Sequence, residues 1–428
     1  MGLKEDLGLK GNDFSNTATG LFIAYLLAEF PNVYCLQKVP AAKWLGTNVF
    51  LWGIAAAAAA GATGYKSLLA ARIFLGIFEA TVGPSLMLIN SQYYTRQEQA
   101  LRFTLWSSGV SIAQILGGLI SFGFQHVHHA ALEGWRVMFL VLGAVTSLVG
   151  VLTFCFLPDT PMKARWLSDQ ERVALLQYIS VNQTGVRNSS FHVKQIWEAV
   201  LDVQVWLLAL AVVLTSVSSG VITTYSSTLI VSFGFSGPDA ALLNMPSGVV
   251  SLVFLIAVGV GVRTTSHRWA WILACTIPGI IGASLLSFLP TAHGHSNKAG
   301  VLVGIYLVNA IIAVLPILWQ WAMANCAGHT KRAFASALVA GSFSLGNIIG
   351  PQTFQARDAP AYHPAKVAVL ATQASVAIVA AVLSLYYVWE NQRRDQRALR
   401  AGQEGLETVE GKWEGLTDWE NQAFRYVY

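Results

Sequence analysis

Charged side chains are scarce in this chain. Asp, Glu, Lys and Arg make up 11% of its 428 residues, where a soluble domain carries about a quarter. Cysteine is rarer still. Cys35, Cys155, Cys275 and Cys326 are the four present, all inside or beside apolar stretches and without metal or redox spacing, so they are expected as small buried residues. There is no G-x-x-x-x-G-K-[ST] loop, which removes nucleotide-driven transport, and no H-E-x-x-H, G-x-S-x-G or paired-aspartate motif, which removes the familiar intramembrane hydrolases. The chain is therefore not expected to be an enzyme, and no cofactor is expected beyond an ion gradient. Residues 1–12, MGLKEDLGLKGN, are polar and charged, with no apolar core behind a basic start, so no cleavable signal peptide is expected there.

What is abundant is apolar: 54% of residues are hydrophobic. Runs long enough to cross a hydrocarbon core of about 30 Å recur from end to end. The sequence predicts an all-α polytopic membrane protein with spans at 15–36, 44–61, 67–93, 102–124 and 135–157, then 206–234, 239–262, 269–289, 300–327, 333–354 and 367–389. The single long polar interruption is 158–202. The organisation expected is an external segment 1–14, a bundle of five helices over 15–157, a cytoplasmic loop 158–202, a bundle of six over 203–391 and a cytoplasmic tail 392–428.

Orientation follows from basic residues. The net charge of +5 would point to nucleic acid in a soluble protein, but here Lys and Arg concentrate in alternate loops and report topology instead. Lys38, Lys43, Arg96, Arg102, Arg263, Arg268, Lys331, Arg332 and the arginines from Arg393 to Arg400 lie on one side, which is expected to be cytoplasmic. The sequons at Asn182 and Asn188 fall in the central loop on that side and are expected to stay unglycosylated.

Several stretches carry a resemblance: LLAEFPNVYCLQKVPAAKWLG, ARIFLGIFEATVGPSLMLINSQYYTRQEQALR, GWRVMFLVLGAVTS followed by FLPDTPMKARWLSDQER, GHTKRAFASALVAGSFSLGNIIGPQTFQARDAPAY, and the terminal LTDWENQAFRYVY. Together they resemble the fungal allantoate-permease group of anion:cation symporters in the major facilitator superfamily, over essentially the full chain. The resemblance implies two pseudo-symmetric six-helix bundles. The departure is at the front, where MGLKEDLGLKGNDFS resembles the loop after the family's first helix and no counterpart of that helix is found. A shortened front, five spans where six are implied, is the expected explanation.

Three ionisable groups fall well inside predicted spans: Glu29, Arg72 and Glu79. A charge at the bilayer centre costs at least about 2.5–3.5 kcal/mol, so such residues point to a pathway or a buried pair. Arg72 and Glu79 lie two turns apart, about 10.5 Å along one helix, with Gly76 and Gly83 on the same stripe and Pro84 behind. The stripe reads as a cavity wall in which glycines leave room for a ligand. Arg72 could hold a carboxylate in a bidentate fork, while Glu79 could carry the coupled proton. The resemblance implies the same two roles, and it places Tyr25 and Asn347 at the substrate. Ser219, in the hydroxyl-rich run 216–228, and Asn309 are further substrate-lining candidates; Glu29, Trp319 and Gln320 are candidate pathway residues. A helix-packing ion pair is the competing reading for Arg72 and Glu79, and hydroxyl packing glue for the Ser219 run. Asn309, Pro316, Trp319 and Gln320 predict a bent, partly polar span. His126, His128, His129, His293 and His295 are expected as solvated loop residues, with no metal site. Gly109, Gly117 and Gly118 are expected at close helix contacts.

The function expected is proton-coupled uptake of a small organic anion (allantoate, ureidosuccinate, nicotinate or pantothenate, as the resemblance implies) by a monomer in the lipid bilayer, at the plasma membrane or alternatively the vacuolar membrane. Export of a fungal metabolite, and a non-transporting sensor or truncated protein, are the alternatives. Neither nucleic acid nor any further cofactor is expected as a partner.

Overall fold

The structure is a computed structural model that describes residues 2–94, 96–125, 132–164, 166–180, 192–265, 267–289, 297–359, 362–400, 416–421 and 424–428. The loop histidines His126, His128, His129, His293 and His295 and the sequons at Asn182 and Asn188 lie outside the described residues. Every described element is helical. In order these are α1 (Leu3–Asp6), α2 (Asp13–Lys38), α3 (Ala41–Ala59), α4 (Tyr65–Glu79), α5 (Val82–Tyr93), α6 (Arg96–Gln125), α7 (Gly134–Phe156), α8 (Asp169–Ser180), α9 (Val193–Leu201) and α10 (Val203–Ser232). Then come α11 (Gly237–Leu243), α12 (Met245–Thr265), α13 (Arg268–Phe288), α14 (Lys298–Val308), α15 (Val314–Asn325), α16 (His329–Gln352) and α17 (His363–Arg400). An all-helical answer is the one lipid permits for these apolar runs, because each helix satisfies its own backbone hydrogen bonds.

All eleven expected spans are helical, but among the described residues ten, not eleven, are long and apolar enough to cross a membrane on their own. The exception is α3, 19 residues in which Lys43, Thr47 and Asn48 dilute the apolar run. Its place is set by packing instead. Gly46 and Gly53 of α3, and Gly143 and Gly150 of α7, each seven residues apart, let the two antiparallel backbones touch. A β-carbon on Gly143 would lie 2.5 Å from the Ala57 nitrogen, and one on Gly46 would lie 2.6 Å from the Phe154 nitrogen. Small residues at such a seam convert close approach into dispersion contact, the main source of helix affinity in lipid.

Three expected spans are interrupted. The span 67–93 divides into α4 and α5, 239–262 into α11 and α12, and 300–327 into α14, a 3₁₀ segment Asn309–Ala313 and α15. Each second half has a proline at its second or third position: Pro84, Pro246 and Pro316. The ring removes one i→i−4 bond and clashes with the preceding turn, and it is tolerated at the start of a new helix. Pro31, Pro278 and Pro351 nevertheless sit inside continuous helices.

The expected packing glycines divide. A side chain at Gly118 would strike Met245 and Ala241, as anticipated, but Gly109 and Gly117 have open space beside them. The cysteines divide as well. Cys275 and Cys326 are buried, whereas Cys35 is half-buried and Cys155 is exposed on α7, on a helix whose outer face carries exposed Val145, Leu148 and Leu152.

The chain forms two compact units. Unit 1 is Met1–Asn188 with Thr223–Val249 and Asn347–Ala365; unit 2 is Ser189–Ile222 with Val250–Gly346 and Lys366–Tyr428. In unit 1, Asp6 and Leu7, ahead of α2, pack down on the bundle. Asp6 pairs with Arg136 at 2.9 Å, accepts from the Trp135 indole at 3.1 Å, and Leu7 packs with Ala62, Leu68 and Trp135. Tyr225 stacks on Phe354, centroids 4.0 Å apart, and Phe354 stacks on Tyr362. In unit 2, α13 and α14 close on each other at Gly282 and Gly304.

Candidate functional site

Arg72 and Glu79 both sit on α4, and Glu79 is its last residue, at the break that Pro84 imposes. Both side chains are half-buried, and no ion pair joins them among the described residues. The charges nevertheless act on one another along the helix. Arg72 holds a buried Nε–H that no acceptor among the described residues meets. A guanidinium N–H left without an acceptor costs more than one bonded to a carboxylate.

Between the two charges, Gly76 is not open space. A methyl there would run into the Leu21 carbonyl and come within 3.3 Å of the Tyr25 nitrogen. The expectation that Gly76 leaves room for a ligand is therefore corrected: α2 fills that gap. Gly83, whose nearest neighbour is Trp106 at 3.8 Å from an added β-carbon, keeps ordinary van der Waals room. The same close approach brings α2 residues to the charged stripe. Tyr25 packs opposite Gly76, and its phenol feels both Glu29 and Glu79. Nearby, Asn32 of α2 accepts from Thr81 at 2.8 Å and from the Trp44 indole at 3.3 Å, tying α2 to the α4–α5 break. The sequence alone does not single out Asn32; an amide one residue after Pro31 was the available signal. The open groove between α2 and α4, lined by Ile23, Leu27, Tyr65, Leu69 and Ile73, is apolar and does not include Arg72 or Glu79.

Asn347, also in unit 1, is buried at 4% exposure. In unit 2 the expected bend in the span 300–327 is present as the 3₁₀ segment, and Asn309 lies buried in it with its amide donating to the Ile305 carbonyl at 2.8 Å. Trp319 and Gln320 are half-buried on α15. Ser219 is half-buried on α10, but its neighbours are engaged in packing. Ser218 meets Thr372 at 2.7 Å and the Val369 carbonyl, Thr215 donates to Ala211, and Ser226 donates to Asn244 at 2.8 Å. Of these, Ser218 and Ser226 bond outside α10, whereas the Thr215 bond stays within α10. Thus Arg72, Glu79, Tyr25 and Glu29 are brought together on α2 and α4, while Ser219, Asn309, Trp319 and Gln320 belong to unit 2. No group of His, Cys, Asp and Glu suited to a metal ion occurs among the described residues.

Residues 1–351 match the Major Facilitator Superfamily, and the chain belongs to that family. It is 38% identical over 439 residues to the thiamine pathway transporter THI73 of Saccharomyces cerevisiae, covering 100% of this chain and 80% of that one. It is 31% identical to the allantoate permease of the same yeast, with the same coverage. Among solved structures it is similar to the proton:xylose symporter XylE bound to 6-bromo-6-deoxy-D-glucose, at a TM-score of 0.66 and 17% identity over 88% of this chain and 86% of that one. The protein is therefore a multi-pass membrane transporter of a small molecule.

Proposed function

We propose that the chain couples the uptake of a small organic anion to the entry of a proton, with Arg72 holding the anion and Glu79 carrying the proton. The observation that carries this reading is the buried Arg72 Nε–H without an acceptor, two turns from a carboxylate that could compete for its charge. While Glu79 is ionised it draws on the positive field of Arg72; once protonated it leaves that field to the substrate. Proton and anion then bind together, and neither moves alone. Tyr25 and Glu29 complete the polar edge of α2, with Asn347, Ser219 and Asn309 as further substrate contacts and Trp319 and Gln320 on the pathway. The 31% identity to an allantoate permease supports a ureido or related carboxylate, in the class of allantoate, ureidosuccinate, nicotinate and pantothenate. The proton gradient is the driving force, no cofactor takes part, and the working form is a monomer in the plasma membrane.

The test is accumulation of labelled carboxylates by vesicles containing the purified chain under an imposed pH gradient. Saturable accumulation that an uncoupler abolishes is expected. Glu79→Gln should retain exchange of substrate across the membrane but lose accumulation driven by pH. A Glu79→Gln protein that still accumulates substrate under the gradient would refute the proton assignment, and failure of every carboxylate in the panel would refute the substrate class.

A further inference from the structure

The last described residues of the chain, 416–421 and 424–428, are not a free tail. They lie across one end of unit 2 and are held there by three kinds of recognition. The first is charge. Lys331, at the start of α16, is fully buried and bonded to two carboxylates, Asp202 at 2.7 Å and Asp418 at 2.8 Å, all three with 0% side-chain exposure. Asp202 comes from the junction of α9 and α10, whereas Asp418 comes from the tail. The Gln204 amide donates to both carboxylates, and the Ala327 N–H donates to Asp418 at 3.3 Å.

The second is backbone reading. Asn391 of α17 donates to the Tyr426 carbonyl at 2.8 Å and accepts from the Tyr426 N–H at 2.9 Å. Asn325 of α15 does the same for the next residue, donating to the Val427 carbonyl and accepting from the Val427 N–H, both at 2.8 Å. A primary amide presents a donor and an acceptor side by side, so each asparagine pairs with a peptide unit as a neighbouring β-strand would. Trp321 adds a third bond, to the Val427 carbonyl at 2.7 Å.

The third is a ring pocket. Tyr426 stacks on Tyr387, centroids 5.2 Å apart. Its hydroxyl donates to Asp418 at 2.8 Å and accepts from Arg394 at 3.0 Å. Arg394 also donates to the Phe424 carbonyl at 3.0 Å. The tail thus touches the start of α10, the α15–α16 junction and the far part of α17.

A buried Asn325 and a half-buried Asn391 matched to the backbone of another segment, a buried lysine with a carboxylate supplied from outside the bundle, and an aromatic shelf are the parts of a peptide-binding site. We propose that this end of unit 2 is a peptide-docking site occupied by the chain's own residues 416–421 and 424–428, which act as a removable strap across α10, α15, α16 and α17. The occupant the site fits is a peptide that turns at its carboxylate, where the Asn421 N–H closes on the Thr417 carbonyl at 2.9 Å, and carries a tyrosine eight residues later, the spacing of Asp418 and Tyr426. This inference is independent of what the transporter carries.

Two measurements on full-length protein test it. In the first, hydrogen exchange is followed in the segment 424–428 of the wild type and of Lys331→Met. Docking predicts that the wild-type amides of Tyr426 and Val427 are protected and that they exchange at least tenfold faster in Lys331→Met, with the α3 and α7 segments unchanged. In the second, a labelled peptide LTDWENQAFRYVY is titrated against a full-length chain whose own strap is disabled by Asp418→Lys and Tyr426→Ala. Anisotropy should report saturable binding to that variant, at least tenfold weaker binding to the wild type, whose site is filled, and none when the peptide carries the Asp→Lys change. Wild-type exchange at the rate of a free peptide would overturn the strap. Loss of protection throughout α3 and α7 in Lys331→Met, or equal peptide binding to wild type and strap-disabled chain, would overturn a removable segment in a discrete site.

Discussion

In the proposed function Arg72 is the residue that holds the anion. Its buried Nε–H meets no acceptor, and a guanidinium offers a carboxylate two parallel donors where an ammonium offers a point charge. Arg72→Lys should therefore bind substrate without the fork. Initial-rate uptake is expected to show an apparent KM raised about tenfold, equivalent to ~1.4 kcal/mol, with the maximal rate less affected. An unchanged KM would remove Arg72 from the substrate. Both Arg72 and Glu79 were legible before any coordinates, because charge inside an apolar run is rare enough to stand out. Asp202, Lys331 and Asp418 were not. Lys331 sits among the basic residues that mark loop orientation, and Asp202 and Asp418 sit in polar stretches where a carboxylate is ordinary. Their burial is created by folding, when the segment holding Asp418 is laid over the start of α16 at Lys331 and the start of α10 at Asp202.

At the scale of elements, glycine and proline do most of the shaping, and their neighbours decide how. Gly53 faces Ser147 and the Gly143 carbonyl across the α3–α7 seam, while Gly109 on α6 faces open space. Gly53→Leu should push the two helices apart and cost about 1–3 kcal/mol; Gly109→Ala should be neutral or stabilising by about 0.5–1 kcal/mol, since alanine is the better helix former. Thermal unfolding of the two purified variants checks the pair. Equal melting temperatures would mean that the seam does not hold α3. The contrast was out of reach of spacing alone: both glycines sit in apolar helical runs, and only the partner helix tells them apart. Likewise six prolines lie inside the expected spans, Pro31, Pro84, Pro246, Pro278, Pro316 and Pro351, yet only Pro84, Pro246 and Pro316 coincide with breaks. Glu79 closes α4 because one of those breaks falls directly after it.

Across the whole molecule, the strap ties the end of the sequence to the middle and brings a pH dependence with it. Asp202 shares Lys331 with Asp418 and faces Gln204, with Tyr386, Tyr387 and Tyr426 close enough to feel its charge. Burial holds the Asp202 carboxyl above the usual carboxylate range, and the Lys331 ammonium only partly offsets this. A carboxyl raised on folding contributes stability that is full below its unfolded pKa and is lost as pH rises through its folded one. The melting temperature of the wild type should therefore fall, for this contribution, as pH is raised from the ordinary carboxylate value through the raised one. Asp202→Asn, which keeps an acceptor for Lys331 and cannot ionise, should flatten that part of the profile. Parallel wild-type and variant profiles would show that Asp202 does not titrate in the folded protein. Removing Lys331 should cost more, about 3–5 kcal/mol, because two carboxylates would then be buried without their cation.

The sequence by itself determined that this is a multi-pass helical membrane transporter, placed helical structure at each of the eleven expected spans, and marked Arg72, Glu79, Tyr25 and Glu29. It could do so because lipid imposes a length and a composition on every span, and because a charge within such a span is conspicuous. Only the tertiary structure decided that Gly76 is filled by α2, that α3 is held by a glycine seam with α7, which prolines break a helix, and that the terminal segment docks on Lys331 and two asparagines. Each of these depends on what a residue meets across space, and a linear pattern records the residue but not its partner.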